Sequence, residues 1–166
     1  KGKDVIGTSA TGSGKTLAFS AGFIENVKKG QGVQVLVMVP TRELAEQVGK
    51  SIRVFSRYSD FKTLEVYGGV SIENQVHKIR YSEVIVGTPG RLLDHLRRGT
   101  LDLNKVNTLI LDEADRMLDM GFLPDVETII KQCKMKNKQI LLFSATLTGD
   151  VDYIRDKYMD HAKHVD

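Results

Sequence analysis

With a single cysteine, Cys133, the 166-residue sequence cannot form a disulfide within itself, and a reducing compartment is the expected setting. No apolar run approaches the ~20 residues that a membrane-spanning helix needs. The purest run, Val35 to Val39, ends at Pro40. The first ten residues lack the apolar core of a secretory leader. There is no block of five basic residues, no internal repeat and no low-complexity tract. The four histidines, His77, His95, His161 and His164, show no metal-ligand spacing with cysteine, and His161 and His164 read as a frayed, exposed chain end. These absences argue against a disulfide scaffold, a membrane protein and a zinc module. They leave a monomer with no membrane attachment, located in the cytoplasm or nucleus, as the expectation.

What is present describes an ordinary globular domain. Hydrophobic residues make up 41% and charged residues 27%, enough for one domain with a sizeable core, expected to span residues 1–166. A net charge of +3 and a pI near 8.9 tolerate a polyanionic partner. The sequence opens at Lys1 without an initiator Met and enters a strand within a few residues, so it is expected to be part of a longer protein.

Apolar runs alternate with helical patterns along the chain. Strands are predicted at Asp4–Gly7, Gln34–Val39, Thr63–Tyr67, Glu83–Val86, Thr108–Leu111 and Gln139–Phe143. Several are continuous and β-branched, as expected when both faces of a strand are covered. Between them, Leu44, Ala45, Val48, Ile52 and Phe55 recur at helical spacing, as do Leu92, Leu93 and Leu96. Leu123, Val126, Ile129, Ile130 and Cys133 form another such stripe, which assigns Cys133 to the core, and Val151, Ile154 and Tyr158 form the last. The alternation predicts an α/β fold with a mainly parallel central sheet and helices on both faces. Lys28–Gln34 reads as a plain surface turn.

Ser9, Ala10, Thr11, Gly12, Ser13, Gly14, Lys15 and Thr16 read S-A-T-G-S-G-K-T, between a predicted strand and a predicted helix bearing Leu17, Ala21 and Ile24. Glycines let the backbone curl and aim N–H groups inward, and the helix adds the positive end of its dipole. Lys15 supplies a point charge for β- and γ-phosphates and Thr16 a hydroxyl for a metal ion. Ser9 stands where this pattern usually has glycine, and is small enough for a close turn. Near residue 110 a strand ends in Asp112 and Glu113. An aspartate at the carboxyl end of a buried strand can hold Mg²⁺ through water, and the adjacent glutamate can take a proton from an attacking water. Lys15, Asp112 and Glu113 are therefore the candidate catalytic residues, with ATP and Mg²⁺ as ligands.

In order, the sequence carries A-T-G-S-G-K-T (Ala10–Thr16), P-T-R-E-L-A (Pro40–Ala45), Gly68-Gly69, T-P-G-R (Thr88–Arg91), D-E-A-D (Asp112–Asp115) and S-A-T (Ser144–Thr146). This succession resembles the first RecA-like domain of DEAD-box ATP-dependent RNA helicases over nearly the whole chain. R-M-L-D-M-G-F (Arg116–Phe122) also matches. The resemblance implies that Pro40, Thr41, Arg42, Gly68, Gly69, Thr88, Pro89, Gly90 and Arg91 contact RNA through its sugar–phosphate chain. Read from the residues alone, Thr41 and Thr88 are helix N-caps, which is compatible with an anion site. Gly68 and Gly69 would let backbone approach backbone. Arg97 and Arg98 read as a solvated helix end that could extend the basic surface. The resemblance further implies that Ser144 and Thr146 bond Asp115 and couple the nucleotide site to the RNA surface. It places their strand between the phosphate-loop strand and the acidic strand.

The family also has an adenine-reading segment upstream of the phosphate loop and a second RecA-like domain, neither of which these residues include. The second domain carries arginines of a kind that contributes ~10³–10⁵ in the rate of phosphoryl transfer. This segment alone is therefore expected to be nearly inactive. The alternatives are a related RecA-like DNA helicase or translocase, disfavoured by P-T-R-E-L-A with T-P-G-R and D-E-A-D, and a nucleotide-switched RNA clamp or scaffold.

Overall fold

The structure, a computed structural model, describes residues 2–8 and 14–165. Among these residues the elements run β1 (Val5–Thr8), α1 (Lys15–Phe23), β2 (Val35–Met38), α2 (Arg42–Phe55), β3 (Thr63–Val66), α3 (Ile72–Ile79) and β4 (Val84–Gly87). They continue with α4 (Pro89–Arg97), β5 (Thr108–Leu111), α5 (Ala114–Asp119), α6 (Leu123–Gln132), β6 (Gln139–Ser144), α7 (Gly149–Tyr158) and β7 (Lys163–Val165). All six predicted strands form, each within one residue of its expected ends. They join one parallel sheet in the order β3-β4-β2-β5-β6-β1-β7. As the resemblance implied, β6 lies between β1 and β5.

The four-residue strands β2, β4 and β5 are buried along their whole length, and their period of two divides the core between the two faces of the sheet. On one face, Leu36, Met38, Ile85, Leu109 and Leu111 meet Leu92, Met117, Val126, Ile129 and Ile154 from α4 to α7. On the other, Val35, Val37, Val84, Val86 and Ile110 meet Phe19 and Phe23 of α1 and Ala45, Val48 and Ile52 of α2. The result is the three-layer RecA-like arrangement.

Three local expectations are corrected. The buried face of α1 is Phe19, Ser20 and Phe23, whereas Leu17 and Ala21 are exposed. The rings decide this, because they bury the larger apolar area. Phe19 packs 5.7 Å from Phe143 and Phe23 6.5 Å from Phe61, centroid to centroid. The supposed frayed end is also structured. Residues 163–165 form edge strand β7 along β1, and His164 Nε2 lies 2.7 Å from Thr8 Oγ1. The turn at 28–34 is more than a surface loop. The buried Gln34 side chain accepts from Lys28 N at 2.8 Å and donates to the carbonyls of Lys28 and Gly32 at 2.7 and 3.0 Å.

Cys133 is buried against α6 as its stripe predicts, and burial pushes its thiol up to about 12. Nearby, α6 and α7 are fastened at their surface by one carboxylate. Glu127 Oε1 accepts from Tyr158 Oη at 2.5 Å, Lys157 Nζ at 2.9 Å and Tyr153 Oη at 3.0 Å. The Tyr158 hydroxyl, then the Lys157 ammonium, hold Glu127 down to about 2. A depressed carboxylate stabilises the fold above its unfolded value of ~4.3, and this contribution is lost as pH falls toward the folded value. Glu127→Gln should therefore flatten the loss of stability between pH 4.5 and 2. Urea-unfolding midpoints across that window check this, and parallel curves for the two proteins would contradict it.

Candidate functional site

The carboxyl edge of the sheet gathers the predicted residues. Of the phosphate loop, Ser9, Ala10, Thr11, Gly12 and Ser13 lie outside the described residues. Gly14 has a left-handed backbone, φ 82°, at the N-cap of α1, a conformation that costs glycine nothing. Lys15 opens that helix and Thr16 follows, half-buried. Lys15 Nζ stands 3.9 Å from Asp112 Oδ1, at the tip of β5 two strands away from β1.

Asp112 is 4% exposed, and burial raises its pKa. Lys15 opposes the rise, as does the Glu113 N–H that Asp112 Oδ1 accepts at 3.0 Å. The carboxylate is therefore desolvated beyond what its partners among the described residues offset, and an added cation would be favoured there. A buried carboxylate oxygen is the donor chemistry that a hard divalent ion takes, and the Thr16 hydroxyl is a second oxygen donor of that kind.

Glu113 follows with φ 50° and ψ 49°, a left-handed conformation unusual for a residue with a Cβ. Such a backbone costs ~1–2 kcal/mol and is concentrated at functional positions. Glu113 occupies the N-cap of α5, yet its side chain caps nothing. Instead its carboxylate accepts from Arg116 Nη1 at 3.2 Å. A simple helix-start role does not account for this geometry.

Asp115, one turn on, is clasped to the end of β6. Its Oδ2 accepts from the Thr146 hydroxyl at 2.8 Å and the Thr146 N–H at 3.0 Å, and its Oδ1 accepts from Arg116 N at 2.9 Å. Burial raises the pKa of Asp115, but these hydrogen bonds outweigh it and the net shift is downward. Ser144 also bonds Asp115, at its backbone. Its hydroxyl accepts from the Asp115 backbone N–H at 3.2 Å and donates to Thr146 O at 2.7 Å. It thus supports the clasp through the backbone.

A second concavity lies on the same edge, an open groove of ≈ 420 Å³ lined by Pro40, Arg42, Gly68, Thr88, Gly90 and Arg91, among others. Six of the nine residues expected to contact RNA thus share one surface, and Tyr67, Asp94 and Phe122, which the sequence did not single out, complete it. Thr41 caps α2 through its hydroxyl, which accepts from Leu44 N at 3.3 Å. Thr88 stands at the N-cap of α4, followed by Pro89, but its hydroxyl makes no cap bond. Both threonines take the predicted N-cap positions, but only Thr41 bonds the helix end with its side chain; Thr88 is among the residues that line the groove. Of the glycine pair, Gly69 has a left-handed φ of 81°, and a Cβ on Gly68 would meet open space. Arg42 is held at the mouth by Glu46 at 3.3 Å and lies 4.8 Å over the Tyr67 ring, whose hydroxyl donates to the same Glu46 oxygen at 2.7 Å.

Beneath the groove lie two residues that sequence reasoning missed, Gln75 and His95. Both are buried and bonded to each other, and Gln75 is bonded to Arg91. Only a polar residue on an otherwise apolar helix face could have signalled them.

The Asp115 clasp yields a test. Thr146→Val removes one charge-assisted hydrogen bond at a partly exposed position, with an expected cost of about 1 kcal/mol at neutral pH. Urea unfolding measures it, and an unchanged midpoint would remove the hydroxyl from the stability of the edge.

Comparison with known proteins gives one family. The profile of the DEAD/DEAH box helicases matches residues 1–154. A probable ATP-dependent RNA helicase of Methanocaldococcus jannaschii is 44% identical over 156 residues, covering 94% of this chain and 42% of that protein. The DEAD-box ATP-dependent RNA helicase CshA of Geobacillus kaustophilus is 45% identical over 165 residues, covering 98% of this chain and 35% of its own length. Among solved structures, a DEAD box protein from the hyperthermophile Methanococcus jannaschii superposes with a TM-score of 0.93 at 42% identity, covering 98% of this chain and 44% of that one. The yeast DEAD-box splicing factor Prp28 gives 0.89 at 33% identity, over 98% and 40%. The chain therefore spans less than half the length of these relatives.

Proposed function

This chain belongs to the DEAD/DEAH box helicase family, and from that premise we propose that it is the ATP-binding lobe of an ATP-dependent RNA helicase that remodels RNA duplexes or ribonucleoproteins. The observation that carries the reading is Lys15 Nζ 3.9 Å from a desolvated Asp112 carboxylate, on the sheet edge that also bears the arginine-lined groove.

In this reading the phosphate loop and Lys15 hold the β- and γ-phosphates of ATP. Thr16 and Asp112 hold Mg²⁺, which when bound compensates the charge of the phosphate oxygens. Glu113 accepts the proton of the attacking water. Arg42 and Arg91 meet the phosphates of a single RNA strand along the groove, with the α2 and α4 N-termini beside them. Backbone contacts of this kind position a strand without reading its bases, so recognition is tolerant of sequence. Contacts to 2′-hydroxyls favour RNA over DNA. The Asp115–Thr146 clasp joins the two regions at the tips of β5 and β6. A second RecA-like lobe completes the ATP site, and binding of both ligands across the lobes favours the closed state.

In the full-length protein, Glu113→Gln should leave nucleotide and RNA binding in place while turnover falls ~100-fold or more. Lys15→Ala should weaken nucleotide binding itself. Polyribonucleotide should stimulate the full-length ATPase and single-stranded DNA should not, and the isolated 166-residue chain should turn over orders of magnitude more slowly. Unchanged turnover in Glu113→Gln would remove Glu113 as the base. Stimulation by DNA alone would replace the RNA reading with a DNA translocase.

A further inference from the structure

Arg91 does not stand alone at the groove. Its Nη1 donates to Val70 O at 3.0 Å and to Gln75 Oε1 at 3.1 Å. Guanidinium nitrogens are donors only, so the Gln75 oxygen must be the atom facing Arg91. The Gln75 amide nitrogen then points away and donates to Tyr67 O at 2.9 Å, which agrees with that orientation. The same Gln75 oxygen lies 2.9 Å from His95 Nε2. An amide oxygen only accepts, so Nε2 carries the hydrogen.

His95 is 0% exposed, and burial, with the charge of Arg91, lowers its pKa. The ring is therefore neutral and Nδ1 bare. Thr100 Oγ1 lies 2.8 Å from Nδ1 and 3.1 Å from His95 O, so its single hydrogen has two acceptors within reach. One donor-only group thus fixes the orientation of Gln75 and the Nε2 proton of His95. Both lone pairs of the Gln75 oxygen are used. Among the described residues Arg91 has no other hydrogen-bond partner, so its Nη2 and Nε edge is left for the groove that it lines. The two carbonyls gripped by the network, Tyr67 and Val70, bracket the Gly68–Gly69 turn.

We propose that Gln75 and His95 are positioning residues for RNA: through a proton-ordered network they hold the Arg91 guanidinium and the Gly68–Gly69 turn in the arrangement that receives a sugar–phosphate strand. This rests on the RNA reading of the groove. A guanidinium tied down at one nitrogen loses less freedom when the others meet a phosphate, so preorganisation enters directly into affinity. Among the described residues nothing in the network touches Lys15, Thr16, Asp112 or Glu113, so its effect belongs to RNA affinity.

The test uses the full-length protein, a fluorescent single-stranded RNA and a non-hydrolysable ATP analogue, with anisotropy as the readout. Gln75→Ala and His95→Leu should each weaken RNA binding about tenfold. His95→Gln, which keeps a donor toward Gln75, should recover most of that loss. In an Arg91→Ala background His95→Leu should change affinity less than twofold, because the guanidinium it positions is gone, and Gln75→Ala should lose less than in the native background, keeping only its effect on the Gly68–Gly69 turn. Equal losses in both backgrounds would show general packing and overturn the proposal. Should a variant fail to fold by thermal melt, nitrogen-detected NMR of the native protein decides instead. The neutral Nε2–H form of His95 is expected, and an Nδ1–H form would overturn the proposal. A native protein that binds no RNA would sink the RNA reading itself, whereas tight binding insensitive to Gln75→Ala sinks only this inference.

Discussion

A sheet whose described strands all run parallel delivers every strand's carboxyl end to one edge, and the candidate chemistry depends on that constraint. Register then sets the depth. Thr8 of β1 pairs with Ser144 of β6, and Leu111 of β5 pairs with Leu142. The carboxyl ends of β1, β6 and β5 therefore lie at nearly one level, side by side. A one-residue slip of β6 would turn Leu142 out of its core face and carry Thr146 away from Asp115. The hydrophobic packing that holds the register thus also holds the clasp.

The two ends of the sheet treat buried carboxylates differently. At the amino end, Asp4 accepts from the N–H groups of Ile140 and Asp160, both at 2.7 Å. Glu83 there accepts from Gly30 at 2.8 Å and Lys62 at 2.7 Å. Those carboxylates are satisfied by backbone and stitch loops together. At the carboxyl end, among the described residues, Asp112 accepts one N–H, from Glu113, and faces Lys15 at a distance too long for a hydrogen bond. Carboxylates of similar burial thus differ in how far the described residues satisfy them.

Most of the fold was legible in the sequence because the central strands are short, apolar and bounded by turns. The failures have physical causes. Lys163-His164-Val165 is exposed throughout, so β7 carries no hydrophobic signature and exists through its pairing with β1. In α1 apolar residues fall on every face of K-T-L-A-F-S-A-G-F, and only packing against Phe143 and Phe61 selects one. The site motifs were legible as chemistry, and the structure brings Lys15, Asp112, Glu113, Asp115 and Thr146 to one edge. Gln75 and His95 were not, because a neutral amide and imidazole gain meaning only from long-range partners, 16 and 20 residues apart along the chain.

The buried thiol of Cys133 has a practical side. At pH 7 a group held near 12 is almost wholly protonated, and it is shut away between α6 and the sheet. A maleimide dye would thus pass over the native cysteine. A cysteine engineered at an exposed site such as Ala145 would be the one reactive handle on this chain. A fluorophore can be installed there without first stripping the native sulfur from the core.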